Sequence, residues 1–596
     1  MPVQTIMKTF SFSPWRVAAA VVAVGLGIGV PLAGQSGPSG QSIPSADTDT
    51  VVHVLNRLGY GPKPGDIDRV KQIGLSQYID QQLHPERIVD ATLAQRLAAF
   101  PTLELSTDEI ARDYYGPAEA IRRAEQRAAG REGQPPTPPT PPTPPTSDPT
   151  MMGQPGRAAR QQSPELRAAT QKEQQVLQDL MQARMLRAVT SERQLEEVLV
   201  DFWFNHFNVF AGKGQVRVYL TEYERDAIRP HVLGNFRDML GAVAESPAML
   251  FYLDNFQNVD PRAAQKQADE QVARQTQARS RQALARGRGR GMGAGQTQTE
   301  QQREQQEQRL MQARNRGLNE NYARELMELH TIGVDAGYTQ DDVIAVARAF
   351  TGWTIDRPRD GGSFQFNAQM HDNDPKVVLG RKITAGGKKD GEAVLDLLAT
   401  HPATAKFIAT KLARRFVSDE PPASVIDRAA KVFLDSKGDL RAVTRSLVTS
   451  PEFFAAGARR AKVKTPLEFV ASAVRASGAN VTVVQPLVQA LRDQGMPLYG
   501  AQPPTGWGDT AEDWVNTGAL LKRLNFAIAL AGGSVRGVRV NVRQLAPDTS
   551  EATRNGLVAA LIASDVSPIT RDTLSKAESP QHLIALTLGS PEFQKR

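Results

Sequence analysis

The stretch NENYARELMELHTIGVDAGYT, Asn319 to Thr339, decides the fold. Tyr322, Leu326, Leu329 and Ile332 recur at helical spacing, an apolar stripe that predicts a packed amphipathic helix. Arg324 and Glu328 stand at i, i+4 and can pair. Gly333 offers a C-terminal cap, and His330 in the last turn would meet the negative end of the helix dipole. Thr339 then opens TQDD, a capping-box variant with Asp342 at its third position, for a second helix carrying Val343, Val346, Ala347 and Phe350. Helix, cap, turn, cap and helix follow one another, and this text sets a mainly α-helical expectation.

The same grammar extends in both directions. From Val51, apolar residues at three-to-four spacing (Val51, Leu55, Leu58, then Ile67, Val70, Ile73, Ile79 and Leu83) predict short amphipathic helices separated by Gly/Pro breaks. Helix resumes from Pro164 to Tyr252, through the aromatic cluster DFWFNHFNVF (Asp201 to Phe210), and again through KFIATKLARRFV, LRAVTRSLVTSPEFF and TPLEFVASAVRASG. Phe364 and Phe366 alternate with polar residues, an NDP turn follows, and Val377 to Leu379 answers as a second strand, which predicts one small β-hairpin. Ser-Pro-Glu-Phe closes helices at Phe453 and again at Phe593, where Ser caps a turn and Pro takes its first position.

Two low-complexity segments interrupt this text and are expected to be disordered insertions. Residues 124–163 contain PPTPPTPPTPPT, which favours solvated polyproline II. Residues 261–316 carry 12 Lys/Arg against 5 Asp/Glu, a surplus of 7 that equals the formal charge of +7 on the whole chain. The basic balance therefore describes a loop and not a binding face. Its RGRGRG run resembles RNA-binding tails, but in an exported protein it points to a solvated loop or an anionic envelope polymer. No specific nucleic-acid site is expected.

A chain of 596 residues, 40% hydrophobic and 23% charged, is globular in composition. Its lack of cysteine excludes disulfides, thiolate catalysis, iron-sulfur ligation, covalent haem and a lipoprotein anchor. Lys8 and Arg16 precede the apolar run VAAAVVAVGLGIGVPLAG, Val17 to Gly34, and no acidic residue occurs before Asp47. Residues 1–34 are therefore expected to be a signal peptide or an N-terminal membrane anchor, the chain's one contact with a membrane. A linker, 35–50, leads into a single large helical domain, 51–594. The expected location is outside the cytoplasm: periplasm, cell surface or inner-membrane anchored.

The opening stretch raises a question of chemistry through Glu325 and His330, the candidate catalytic pair. At about 100° per residue they lie about 140° apart, so the helix lacks the i, i+4 ligand pair of a His-Glu-x-x-His metal site. Partners must come from elsewhere in the chain. His206, His330, His371 and Asp372 are the residue types that would hold Zn²⁺ or another divalent ion, should the fold gather them. Asn205, Asn321, Trp353 and Trp507 are the candidate binding residues, Trp507 sitting in a Gly/Pro/Trp-rich loop suited to stack on a sugar or another flat ligand. No Gly-x-Ser-x-Gly elbow, phosphate loop or strand-anchored dinucleotide fingerprint is present.

RLGYGPKP (57–64), FWFNHF (202–207), NENYARELMELHTIGVDAGYTQDDVIAVARAFTGWT (319–354), HDNDPKVVLG (371–380), KFIATKLARRFV (406–417) and the PPTGW loop together resemble the bacterial domain-of-unknown-function family numbered 1800. The resemblance covers nearly everything from Val51 onward, except the two insertions. It implies an exported protein, often encoded beside sulfatase-like partners of the alkaline-phosphatase superfamily, and it transfers no catalytic residue. Two functions are carried forward. One is a cell-envelope component that binds or helps mature a sulfatase-like partner or an anionic surface polymer. The other is a hydrolase acting outside the cytoplasm through a divalent metal or a His/Glu acid-base pair.

Overall fold

Side chains that stop helices explain much of the architecture in the computed structural model, which describes residues 43–131, 163–287, 317–384, 386–562 and 566–596. Asn319 accepts from the N–H groups of Asn321 and Tyr322 and starts the helix Glu320–Glu328. Thr339 and Asp342 close a reciprocal capping box on Gln340–Ala349, and Thr465 with Glu468 do the same for Pro466–Ala476. Each such cap satisfies backbone donors that a helix end would otherwise leave bare. Both Ser-Pro-Glu-Phe copies use one local solution: Ser450 accepts from the Phe453 N–H (3.1 Å) and Ser590 from the Phe593 N–H (3.2 Å).

The described residues between 43 and 596 form one compact, mainly α-helical unit. Its centre is the DFWFNHF cluster, where Trp203 and Phe207 are wholly buried against Phe236. Tyr322 and Phe350, from the opening stretch and its successor, meet edge to face at 5.2 Å. Distant parts of the chain close the core. In the first helix, Thr48–Arg57, His53 bonds the Phe453 carbonyl and Arg57 donates to the Ala458 carbonyl. Asp66 is paired with the buried Arg475.

Strands are short and pair in twos. Trp353–Ile355 (β1) runs antiparallel to Phe364–Phe366 (β2), Lys376–Val378 (β3) to Arg381–Ile383 (β4), and Asn480–Val481 (β5) to Val538–Arg539 (β6). The expected hairpin thus becomes two. Phe364–Phe366 takes β1 as its partner, not the Val377 strand. Leu379 and Gly380, with φ of 50° and 75°, form the two-residue turn that folds β3 onto β4.

The helix Gly116–Arg131 carries regular structure into the Pro/Thr-rich segment, whose residues 132–162 lie outside the described residues. The first part of the Gln/Arg/Gly-rich segment, Pro261–Gly287, is helical. Gln, Arg and Ala are good helix formers, and Ala264 and Ala268 are buried. Residues 288–316, and the apolar N-terminal segment expected to be a signal or anchor, lie outside the described residues. Among the described residues no helix is long and apolar enough to cross a membrane.

Candidate functional site

The last turns of the helix Gln194–His206 present Asp201, Phe202, Asn205 and His206 to a cavity of about 200 Å³. The end of Pro402–Phe416 supplies Lys411, Arg414 and Arg415. Thr465, Met496 and the loop Thr505–Thr510, with Trp507 and Asp509, complete the lining.

That loop is held by the amide of Asn205, whose Nδ2 donates to the Trp507 carbonyl (2.8 Å) while its Oδ1 accepts from the Trp507 N–H (2.7 Å). A neighbouring asparagine repeats the device: Asn208 donates to the carbonyls of Ala501 and Pro503. Close approach requires glycine at 506, where φ is +73° and a Cβ would stand 2.4 Å from Asn205 Oδ1. Trp514 donates to the Gly508 carbonyl and Asp419 accepts from the Ala511 N–H, which anchors the C-terminal end of the loop. The Trp507 side chain is left partly exposed at the cavity.

The charges on the lining are not equally committed. Arg415 is buried and ion-paired with Glu468 (2.9 Å), with Asp201 and Asp509 farther off at 3.6 and 3.7 Å. Burial pushes the Glu468 carboxyl up, but Arg415 and Arg596 outweigh it and hold the group at about 2. Asp201 is paired with Arg184 at 2.8 Å. Arg414 spends its Nε on the Asp419 carbonyl. Lys411 differs: its ammonium has no hydrogen-bond acceptor or carboxylate partner among the described residues, and it stands over the Phe407 ring, 5.5 Å from the centroid. Burial pulls its pKa down to about 8, with Asp509 opposing. An unpaired ammonium on a cavity wall costs desolvation that a bound anion would offset.

His206 and His330 are brought together, with ring centroids 6.1 Å apart. The His330 carbonyl accepts from His206 Nε2 (3.1 Å), which places the proton there and leaves the buried Nδ1 an acceptor without a partner among the described residues. Burial holds both imidazoles neutral, His330 at about 3, with Lys411 adding to the effect. His330 lies just beyond the helix end at Glu328, and its ring stands against Phe207 (5.1 Å).

His371 and Asp372 belong to a different network. His371 Nε2 meets Asp390 (3.2 Å), which also takes the buried Lys376 ammonium at 2.6 Å. Asp372 is clasped by Arg348 at 2.7 Å. Among the described residues no group of three or more His, Asp or Glu side chains is placed to hold a metal ion, so the four candidate ligands form no common shell. Trp353, a candidate binding residue, is fully buried: a Cβ on Gly391 would stand 2.6 Å from its ring, and no face remains for a ligand. Asn321 is exposed on the first helical turn, where its N–H is spent on the Asn319 cap. Glu325 is half buried without a side-chain partner among the described residues, and burial, then Glu328, raises its pKa.

Lys411, Arg414, Arg415 and Asp509 went unmarked in the sequence. One signal was present: Arg415 falls on the apolar stripe of Ile408 and Leu412, where an arginine must find buried partners.

A mainly α-helical unit with a small cationic pocket beneath a pinned tryptophan loop is the class these observations define. The chain belongs to the family described as protein of unknown function (DUF1800), whose sequence model matches residues 53–595. No curated protein and no solved structure matches it.

Proposed function

We propose that this is an exported cell-envelope protein that holds an anionic group, carried by a sulfatase-like partner or a surface polymer, in the pocket between His206, Lys411 and Trp507. One observation carries the reading: among the described residues the Lys411 ammonium lines the cavity without a hydrogen-bond or carboxylate partner, while Asp201 and Arg415 on the same lining are closely ion-paired. A compact cation in a partly dry pocket attracts an anion far more strongly than the same group in water. Export rests on the N-terminal sequence alone, and fractionating cells that express the full chain or a form lacking residues 1–34 tests it.

Calorimetric titration with sulfate at fixed ionic strength tests the pocket. Binding to the full chain is expected, with Lys411→Met weakening it by at least about tenfold, the order expected for one charge-assisted contact. Lys431→Met, an exposed control paired with Asp435, should leave binding unchanged. Equal binding by all three proteins would sink the reading. The pH dependence follows from the lysine: the cation that recognises the anion is present below about pH 8 and lost above it, so affinity falls as pH rises through that value.

A further inference from the structure

Among the described residues the lining of this pocket holds a carboxylate without a hydrogen-bond donor as well as an ammonium without an acceptor. Asp509 faces the cavity with long ion pairs to Arg415 Nη1 and Lys462 Nζ, both at 3.7 Å, and among the described residues its carboxylate accepts no hydrogen bond. Lys411 and Asp509 line one cavity without pairing with each other. A simple inorganic anion satisfies Lys411 but is repelled by Asp509, and it uses neither Trp507 nor Phe202 and Met496 on the wall. A neutral sugar satisfies Asp509 through its hydroxyls but leaves Lys411 bare. A flat aromatic acid suits Trp507 and Lys411 and brings no O–H donors for the carboxylate.

Building on the anion-binding reading, we propose that the ligand is a hydroxylated acid the size of one sugar-acid ring. Its carboxylate or sulfate sits on Lys411 with Arg414 beside it, hydroxyls donate to Asp509, and the apolar ring face packs on Trp507. The size agrees: about 200 Å³ is smaller than the roughly 300–1,000 Å³ of pockets for drug-sized molecules, and suits a single ring. The loop suits such a contact, because Asn205 fixes the Trp507 backbone through both its N–H and its carbonyl, which lowers the cost of ordering the loop around a ligand. The acid can be a free molecule or one residue of an acidic polysaccharide, since both present the same chemistry to the pocket.

Titration calorimetry of the full chain with galacturonate, galactose, sulfate and tetragalacturonate tests the assignment. Galacturonate is expected to bind about tenfold tighter than sulfate, and galactose not at all in the same range. Trp507→Ala leaves both backbone bonds to Asn205 in place and should weaken galacturonate about tenfold while sulfate binding stays within about twofold. Asp509→Ala should lower the galacturonate-to-sulfate ratio, because removing the carboxylate eases sulfate and costs the hydroxylated acid its acceptor. Tetragalacturonate binding at least as tightly as the monomer identifies a polymer residue, and preference for the monomer identifies a free acid; either outcome supports the class. Galacturonate binding no tighter than sulfate, or a ratio unmoved by both variants, overturns the assignment while leaving anion binding intact. Failure of every anion to bind, or indifference to Lys411→Met, overturns the anion-binding reading itself.

Discussion

Gly506 and Asn205 show how single residues set this site. The glycine permits φ of +73° and lets the backbone pass within reach of the asparagine amide. Gly506→Ala should cost roughly 1–3 kcal/mol of local stability through backbone strain and the contact with Asn205 Oδ1. Hydrogen exchange at the Trp507 amide, which donates to that oxygen, reads the loss directly; unchanged protection would show that the loop is held by other means. Glu325 makes a second prediction. Its pKa is raised, so the folded protein takes up a proton more readily than the unfolded chain does, and ionisation above the ordinary carboxylate range costs stability. Glu325→Gln should therefore stabilise the protein at neutral pH, with the gain fading as pH falls toward 4. Thermal melts at the two pH values check the sign, and a variant less stable at neutral pH would mean that the carboxylate has a role which burial conceals.

Among the elements, the helix Pro402–Phe416 makes the pocket by facing its charged end toward the Gln194–His206 helix. Asn205→Ala removes both hydrogen bonds to Trp507 and leaves a partly buried N–H and carbonyl unmet, at roughly 1–3 kcal/mol for each group. Limited proteolysis should then cut within 503–510, a segment expected to resist cleavage in the parent; an unchanged digest contradicts the clamp. Helices of this kind were legible in the sequence because period and caps are local: the Thr339–Asp342 box, the Arg324–Glu328 pair (3.4 Å) and the Ser-Pro-Glu-Phe caps all stand where residue order put them. Strand pairing was not legible, since Phe364–Phe366 could meet either neighbour and only the fold selects β1. The site was half legible. Asn205, His206 and Trp507 announced themselves by type, whereas Lys411 looks in sequence like any surface lysine until the cavity beside it is known.

Across the whole molecule, buried charge links distant segments. Glu468 is gripped by Arg415 and Arg596, and Glu224 by Arg184 and Arg229. Burial pushes both carboxyls up, and the arginines more than offset it and hold each at about 2. Their contribution to stability is therefore full above the ordinary value of 4.5 and is lost as pH falls toward 2. The buried imidazoles of His53, His206 and His330 have lowered pKa values, so the unfolded chain binds more protons below 6.5 and stability already declines from there. Acid unfolding is expected in two stages, a shallow fall below about pH 6.5 and a steep one below about 4.5. At pH 7, Glu468→Gln should cost roughly 3–5 kcal/mol by leaving buried guanidinium groups unpaired. Denaturant midpoints measured across pH 2–8 distinguish this from a flat profile, which would contradict the network.

Location of a bound anion tests the central claim most directly. Crystals of the protein soaked in selenate, whose selenium scatters anomalously, are predicted to show a peak in the His206–Lys411–Trp507 pocket with an oxygen about 2.7–3 Å from Lys411 Nζ, absent in Lys411→Met. An empty pocket, with selenate found only on exposed arginines elsewhere, would contradict it.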